Sequence, residues 1–201
     1  MSTHDGLAGG TTGQRDRAAL LWWRPTTSRL IDSPPVNNED LLMPVVRCGW
    51  SNEWRLFTLL RVASLETLNE QVAALAAHGQ ETTAILGYRD LPSVNECSAA
   101  SALWFIALWR WNDAWHRASP IDRQAYDVDV DEAFAWGHAH GVATLGRYNC
   151  SWSSSWDYFT VWRVPHDQVL DECMHRLGAQ RDWRFAQSRH FIGRAGMGGG
   201  A

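Results

Sequence analysis

Hydrophobic positions in this chain fall into short runs separated by polar, Pro- or Gly-bearing breaks, and the runs alternate with longer stretches of helical spacing. Ala18-Ala19-Leu20-Leu21-Trp22-Trp23 reads as a first strand. A Pro-broken crossover follows (Pro25, Pro34, Pro35, Pro44) with room for only a short helix around Asn38–Met43. Val45–Trp50 and Trp54–Val62 read as antiparallel strands joined by Ser51-Asn52-Glu53. Ser64 is placed to cap a helix to about His78, with Leu65, Leu68, Val72 and Leu75 on one face, and Thr82–Tyr88 closes this half. After a linker, Ala102–Trp111 is an aromatic strand. Ser119-Pro120-Ile121-Asp122 starts a helix: Ser caps, Pro sits first, and Asp returns a capping hydrogen bond. That helix runs to about His140 and stops at Gly141. Val142–Asn149 and Trp156–Val164 form a hairpin, His166–Leu177 a helix and Arg184–Gly193 the last strand.

The two halves share a pattern. Arg55-Leu56-Phe57-Thr58-Leu59-Leu60-Arg61-Val62 recurs 102 positions later as Asp157-Tyr158-Phe159-Thr160-Val161-Trp162-Arg163-Val164. Each copy is followed by an amphipathic stretch and an apolar run ending in glycine, Ile85-Leu86-Gly87 and Phe191-Ile192-Gly193. A duplicated strand–helix–strand unit predicts an α+β fold of two ferredoxin-like units, 18–90 and a second at 102–194. The first unit has a degenerate first helix. Residues 91–101 are the linker, 1–17 a disordered start and 195–201 a flexible tail.

With that order of elements, the chain resembles the dimeric α+β barrel superfamily, in which two ferredoxin-like units pack sheet against sheet with helices outside. The segment Leu108–Gly193, with Trp109, Trp115, Ser119-Pro120, Gly141-Val142 and Tyr158-Phe159-Thr160-Val161-Trp162, also resembles a family of uncharacterised bacterial ferredoxin-like proteins. The superfamily resemblance implies a cavity between the sheets, used in relatives for cofactor-free oxygenation, polyketide cyclisation, isomerisation or haem chemistry.

Composition narrows the chemistry. The net charge of −4 and the lack of a basic stripe argue against nucleic-acid binding. All 18 basic residues are arginine, which rules out a lysine Schiff base and the P-loop lysine, hence pyridoxal-phosphate enzymes and P-loop NTPases. No GxGxxG follows a strand, so a Rossmann dinucleotide is not expected. Cys48, Cys97, Cys150 and Cys173 are too scattered for a zinc knuckle and read as reduced thiols of a cytoplasmic protein. No signal-like start or membrane-length apolar run is present.

Thirteen tryptophans, nine of them between Trp104 and Trp183, exceed the needs of one small core and point to an aromatic-lined cavity for a flat ligand. Period-2 alternation puts Tyr158, Thr160, Trp162 and Val164 on one face, expected to line that cavity, with Phe159 and Val161 toward helices. His138 and His140 project in different directions and fit a helix C-terminus better than a metal. His190 lies inside a strand, where the repeat has Ala84, and is the candidate general base. Asp127 to Glu132 reads as a solvated acidic stripe, and Ser153-Ser154-Ser155 lacks a nucleophile elbow.

The expectation is therefore a small-molecule enzyme. Its catalytic candidates are His190, Arg147 and Tyr158, with Arg147 holding an anionic group. Trp109, Asn149, Thr160 and Trp162 are expected to bind substrate. The oxidative character comes from the resemblance alone. One alternative puts haem or mononuclear iron on His190; another makes the chain a non-catalytic binding or assembly protein, possibly a homodimer, with aromatics at the interface.

Overall fold

The computed structural model describes residues 16–26, 38–49, 53–97, 102–179 and 182–195; most of the two chain ends expected to be disordered lies outside them, but Arg17 already begins the first strand and Ala195 ends the last. Eight strands form one closed antiparallel barrel: β1 (Arg17–Pro25), β2 (Val46–Cys48), β3 (Leu56–Arg61), β4 (Gln80–Leu91), β5 (Leu103–Trp111), β6 (Ala143–Asn149), β7 (Tyr158–Val164) and β8 (Ala186–Ala195). The helices are α1 (Leu65–Ala77), α2 (Asp113–Arg117), α3 (Pro120–Ala139) and α4 (Asp167–Ala179). Around the barrel the order is β1-β3-β2-β8-β5-β7-β6-β4. Each half is thus a four-stranded ferredoxin-like sheet with its fourth strand beside its first, and the two sheets join edge to edge at β2–β8 and β4–β6. This is the dimeric α+β barrel architecture, built within one chain.

The elements form for the local reasons expected. Ser64 accepts from Thr67 N at 3.1 Å and caps α1. Ser119 accepts from Asp122 N at 3.1 Å and donates to its carboxylate at 2.7 Å, which holds that carboxyl below its usual range. Three details differ from expectation. Among its described residues the first crossover carries a 3-10 turn at Asn38–Asp40, and Leu41 and Val45 pack onto the outside of the sheet. A separate short helix, α2, starts where Asn112 Oδ1 accepts from Ala114 N and Trp115 N. Finally, β4 continues to Leu91, and Val94 in the linker bridges Thr144.

Registers place the two copies in equivalent positions. Trp22 pairs with Phe57 and Ala18 with Gly87; in the second half Leu108 pairs with Phe159 and Trp104 with Gly193. The repeat also reaches further back than the strand. Cys48, Trp54, Phe57, Thr58, Arg61 and Val62 match Cys150, Trp156, Phe159, Thr160, Arg163 and Val164 at the same spacing of 102. Trp50 and Ser51 match Trp152 and Ser153 in sequence, but lie outside the described residues.

The retained residues close the barrel. A Cβ on Gly193 would stand 2.2 Å from Arg47 O, and one on Gly87 would stand 2.8 Å from both Phe159 and Tyr148. These glycines let the seam strands approach. Each hairpin also leans on the other half's closing strand: Gly49 N donates to Ile192 O at 3.2 Å, and Ser153 Oγ to Leu86 O at 2.5 Å. An arginine clamp is duplicated as well. Arg24 reaches Glu81, Glu53 O and the Trp54 ring, and Arg110 reaches Gln187, Ser155 O and the Trp156 ring.

The barrel interior is a filled core rather than a ligand cavity. Trp22, Phe57, Trp104, Tyr148, Phe159 and Phe191 meet there from both sheets, each under a tenth exposed. The expected alternation on β7 holds, but the assignment of faces is reversed. Phe159 and Val161 point into the barrel, while Tyr158, Thr160 and Trp162 point out toward α3 and α4. The reason is polar satisfaction. On the outer face the Thr160 hydroxyl is satisfied, its Oγ1 accepting from Trp109 Nε1 at 3.1 Å.

Candidate functional site

The helix side of the second sheet gathers all seven residues singled out from the sequence. Its strands run β8-β5-β7-β6, and the registers lay their outward side chains in rows. One row is Ser188, Trp109, Tyr158 and Asn149; the next is His190, Ala107, Thr160 and Arg147; the third is Ile192, Phe105, Trp162 and Thr144. The counterpart face of the first sheet carries Val45, Leu56, Leu60 and Ala84 where this one has Arg147, Tyr158, Trp162 and His190.

The seven do not form one tight cluster. His190 and Arg147 end the same row three strand spacings apart, about 14 Å, too far to act on one small group. His190 is exposed and lies against Phe105, 5.0 Å between ring centres, so it is not the shielded strand histidine expected. Trp162 is buried between Phe105 (5.0 Å, stacked) and Phe134 of α3 (5.4 Å, edge-on), and its Nε1 is buried without a hydrogen-bond partner.

The solvent-reachable part is the corner formed by Trp109, Tyr158, Arg147 and Asn149, all partly exposed. Trp109 and Tyr158 stack at 4.5 Å, and the Arg147 guanidinium lies over both rings, 5.1 Å from Tyr158 and 5.9 Å from Trp109. Its Nε and Nη2 both donate to Asp90 Oδ2, at 2.7 and 2.5 Å. Arg147 is therefore already neutralised on one edge, not a bare anion holder. Asp127 of α3 joins the corner: desolvation and then Asp131 raise its pKa, and Arg147 opposes them. Sequence reading missed Asp90, while Asp127, read as part of a solvated stripe, is indeed exposed. The signal for Asp90 was the β4–β6 pairing, which no local pattern shows.

A continuous aromatic run leads from this corner to the foot of α3. Trp109 meets Trp111 at 5.1 Å, Trp111 stacks on Trp115 at 3.9 Å, and Tyr126 closes on Trp115 at 5.6 Å. The Trp111–Trp115 pair packs on rings of its own chain and stays partly exposed.

On the inner face of the same seam, Tyr148 stacks on Phe159 and accepts from Arg89 Nη2 at 2.9 Å, with Asp16 paired to Arg89 at 3.0 Å. Burial raises the Tyr148 pKa. Burial likewise pushes Cys150 and Cys173 up to about 11, so both stand as protonated packing groups.

No family model matches the chain, and no curated protein matches it. Solved structures do. A variant chlorite dismutase from Candidatus Nitrospira defluvii superposes with a TM-score of 0.69 at 12% identity, covering 90% of this chain and 91% of that one. The same protein in complex with imidazole gives 0.68 at 12%, covering 90% and 92%. A further variant in complex with cyanide gives 0.68 at 12%, covering 90% and 91%. The chain shares the dimeric α+β barrel fold with these proteins.

Haem is the cofactor that the superfamily resemblance raises, and the residues here do not fit it. The cavity between α3, α4 and β7, lined by Phe134, Gly137, His138, Trp162, Cys173 and Leu177, holds about 10 Å³. That is room for one water, against several hundred Å³ or more for a typical ligand pocket. Among the described residues no three His, Cys, Asp or Glu side chains stand together as metal ligands. No helix there is long and apolar enough to cross a membrane.

Proposed function

We propose that this chain is a small-molecule enzyme whose working surface is the corner of Trp109, Tyr158, Arg147 and Asn149. The observation that carries this reading is the divergence of the two halves at four places on one face: Val45, Leu56, Leu60 and Ala84 of the first stand where the second has Arg147, Tyr158, Trp162 and His190, while Arg47, Thr58 and Trp23 keep polar or aromatic groups opposite Asn149, Thr160 and Trp109. The Trp109–Tyr158 stack offers a flat wall for a planar ligand. Arg147, fixed by Asp90, presents a positioned cation to charge developing on a ring oxygen, as in an enolate or phenolate. Tyr158 and Asn149 orient polar atoms. The substrate class is a planar hydroxyaromatic, and an oxidative reaction follows the precedent implied by the fold. Thr160 and Trp162 support the wall from behind.

The test is a panel of planar hydroxyaromatics screened by ligand-observed NMR and oxygen uptake. Arg147→Gln is expected to weaken binding about tenfold or more, the scale of a charge-assisted contact, with the circular dichroism spectrum unchanged. Equal binding by wild type and variant would sink this site.

A second reading, assembly, is favoured by one observation. Ile121, Trp183 and Val128 are 79%, 71% and 53% exposed. A homodimer through the exposed Ile121 and Val128 of α3 would show in sedimentation equilibrium and dissociate with Ile121→Ser; a monomeric wild type dismisses it.

A further inference from the structure

We propose that this chain uses the chlorite dismutase fold without a porphyrin, because packed apolar side chains, aromatic in two of the three, occupy each layer in which one would lie. The inference is independent of the Arg147 corner. The barrel has three layers to consider: its interior, the outside of the first sheet and the outside of the second. The interior is closed by rings from both sheets. Outside the first sheet, Leu68 and Leu75 of α1 and Leu41 and Val45 of the crossover pack onto Trp23, Leu56 and Leu60.

Outside the second sheet, the space under α3 and α4 is filled by a sandwich special to that half. Phe105 and Trp162 stand where the first half has Ala19 and Leu60, and Phe134 adds a third ring from α3. The cavity at the Trp162 ring holds about 10 Å³. The indole N–H left buried without a partner marks Trp162 as filling volume rather than serving a polar role.

The histidines agree with this. His78 and His140 turn Nδ1 to backbone carbonyls at their helix ends, each at 2.7 Å. His138 Nε2 meets Thr144 Oγ1 at 3.1 Å. His190, His116, His166 and His175 are exposed. Of the described histidines, His138 lines the cavity at Trp162, which is far too small for a flat macrocycle.

Two measurements on the full chain test the proposal. Titrated with hemin, the wild type is expected to show only the broad, non-saturating absorbance of a control protein, and to lose the haem on gel filtration. Trp162→Ala is expected to vacate a ring-sized cavity, so that added indole raises its melting temperature while leaving the wild type's unmoved. If Trp162→Ala fails to fold, Trp162→Leu, the first-half residue, with benzene as probe replaces it. A saturating one-to-one Soret band that survives gel filtration of the wild type would overturn the proposal. So would a folded Trp162 variant that ignores its probe.

Discussion

The two halves of this barrel have kept different things. The parts that stitch the halves together are duplicated in place: the seam glycines, the hairpin contacts to the opposite closing strand, and the arginine clamps. The faces under the helices have separated. In the first half Thr58 donates to Met43 O, at 2.7 Å, and Trp23 lies wholly buried with its Nε1 unpartnered. In the second half the matching Thr160 and Trp109 bond to each other, and Trp109 comes partly into solvent beside Arg147. Closure constrains both copies equally, because each seam needs both edges. The helix-side face answers only to its own helices, and there one copy was free to take on polar groups.

The seams give the largest expected effect. At Gly193 an added Cβ meets backbone, Arg47 O at 2.2 Å, which no rotamer change can relieve. Gly193→Ala should cost about 3 kcal/mol or more, read from urea unfolding. At Gly87 the obstacles include a movable ring edge at 2.8 Å, so Gly87→Ala should cost less, about 1–2 kcal/mol. Equal small costs would show that the seams flex apart and that the glycines are not their reason for closing.

This division also explains what the sequence reveals. The strands, the ferredoxin-like order and the caps at Ser64 and Ser119 follow from local periodicity and hydrogen-bonding chemistry, which neighbouring residues carry. The repeat was legible even beyond its strand, since Cys48 and Trp54 match Cys150 and Trp156 at the same spacing. All seven site candidates do share one face. Which face was not legible: alternation on β7 is symmetric, and the side that is dry depends on barrel closure. Asp90 beside Arg147, and the filling of the barrel by rings, likewise depend on strands far apart in sequence.

On the inner side of the β4–β6 seam, Tyr148 and Arg89 form a polar pair where the first half has Val46 and Ala195. Tyr148→Phe removes the acceptor and should cost about 1–2 kcal/mol, while Val46→Ala at the equivalent place loses packing instead. Restoring stability to the Phe variant by Arg89→Leu would confirm that the loss is an abandoned guanidinium. A double variant no better than the single would deny it.

The arginine clamps should be nearly equal despite their different partners. Arg24 meets a carboxylate, with side chains 41% and 50% exposed, whereas Arg110 meets the amide of Gln187. An exposed ion pair contributes about 0–1 kcal/mol. Both arginines also lie over an indole at 5.6 Å. Each Ala substitution should therefore cost about 1 kcal/mol, and high salt should narrow any gap between them. A clearly larger loss for Arg24 that persists in salt would show the halves to be unequal even in their stitches.

The smallest effect concerns pH and belongs to the second half, since among the described residues of the first no helix matches α3. His138 sits half-buried between the end of α3 and β6, with Nε2 at Thr144 Oγ1, and burial lowers its pKa. The folded state then releases its proton more readily than the unfolded chain, whose imidazole titrates near about 6.5. Over the interval between the two values the unfolded state binds more protons, so stability rises with pH there. It is complete above the unfolded value and is lost as pH falls through the folded one. His138→Gln keeps a hydrogen-bonding side chain of similar length without the titration. Urea midpoints followed from neutral pH downward should fall less steeply in the variant, with the two proteins closest in the acid range. Parallel curves would mean that His138 is solvated in both states, and that α3 lies less tightly on β6 than its neighbours Val142 and Gly137 indicate.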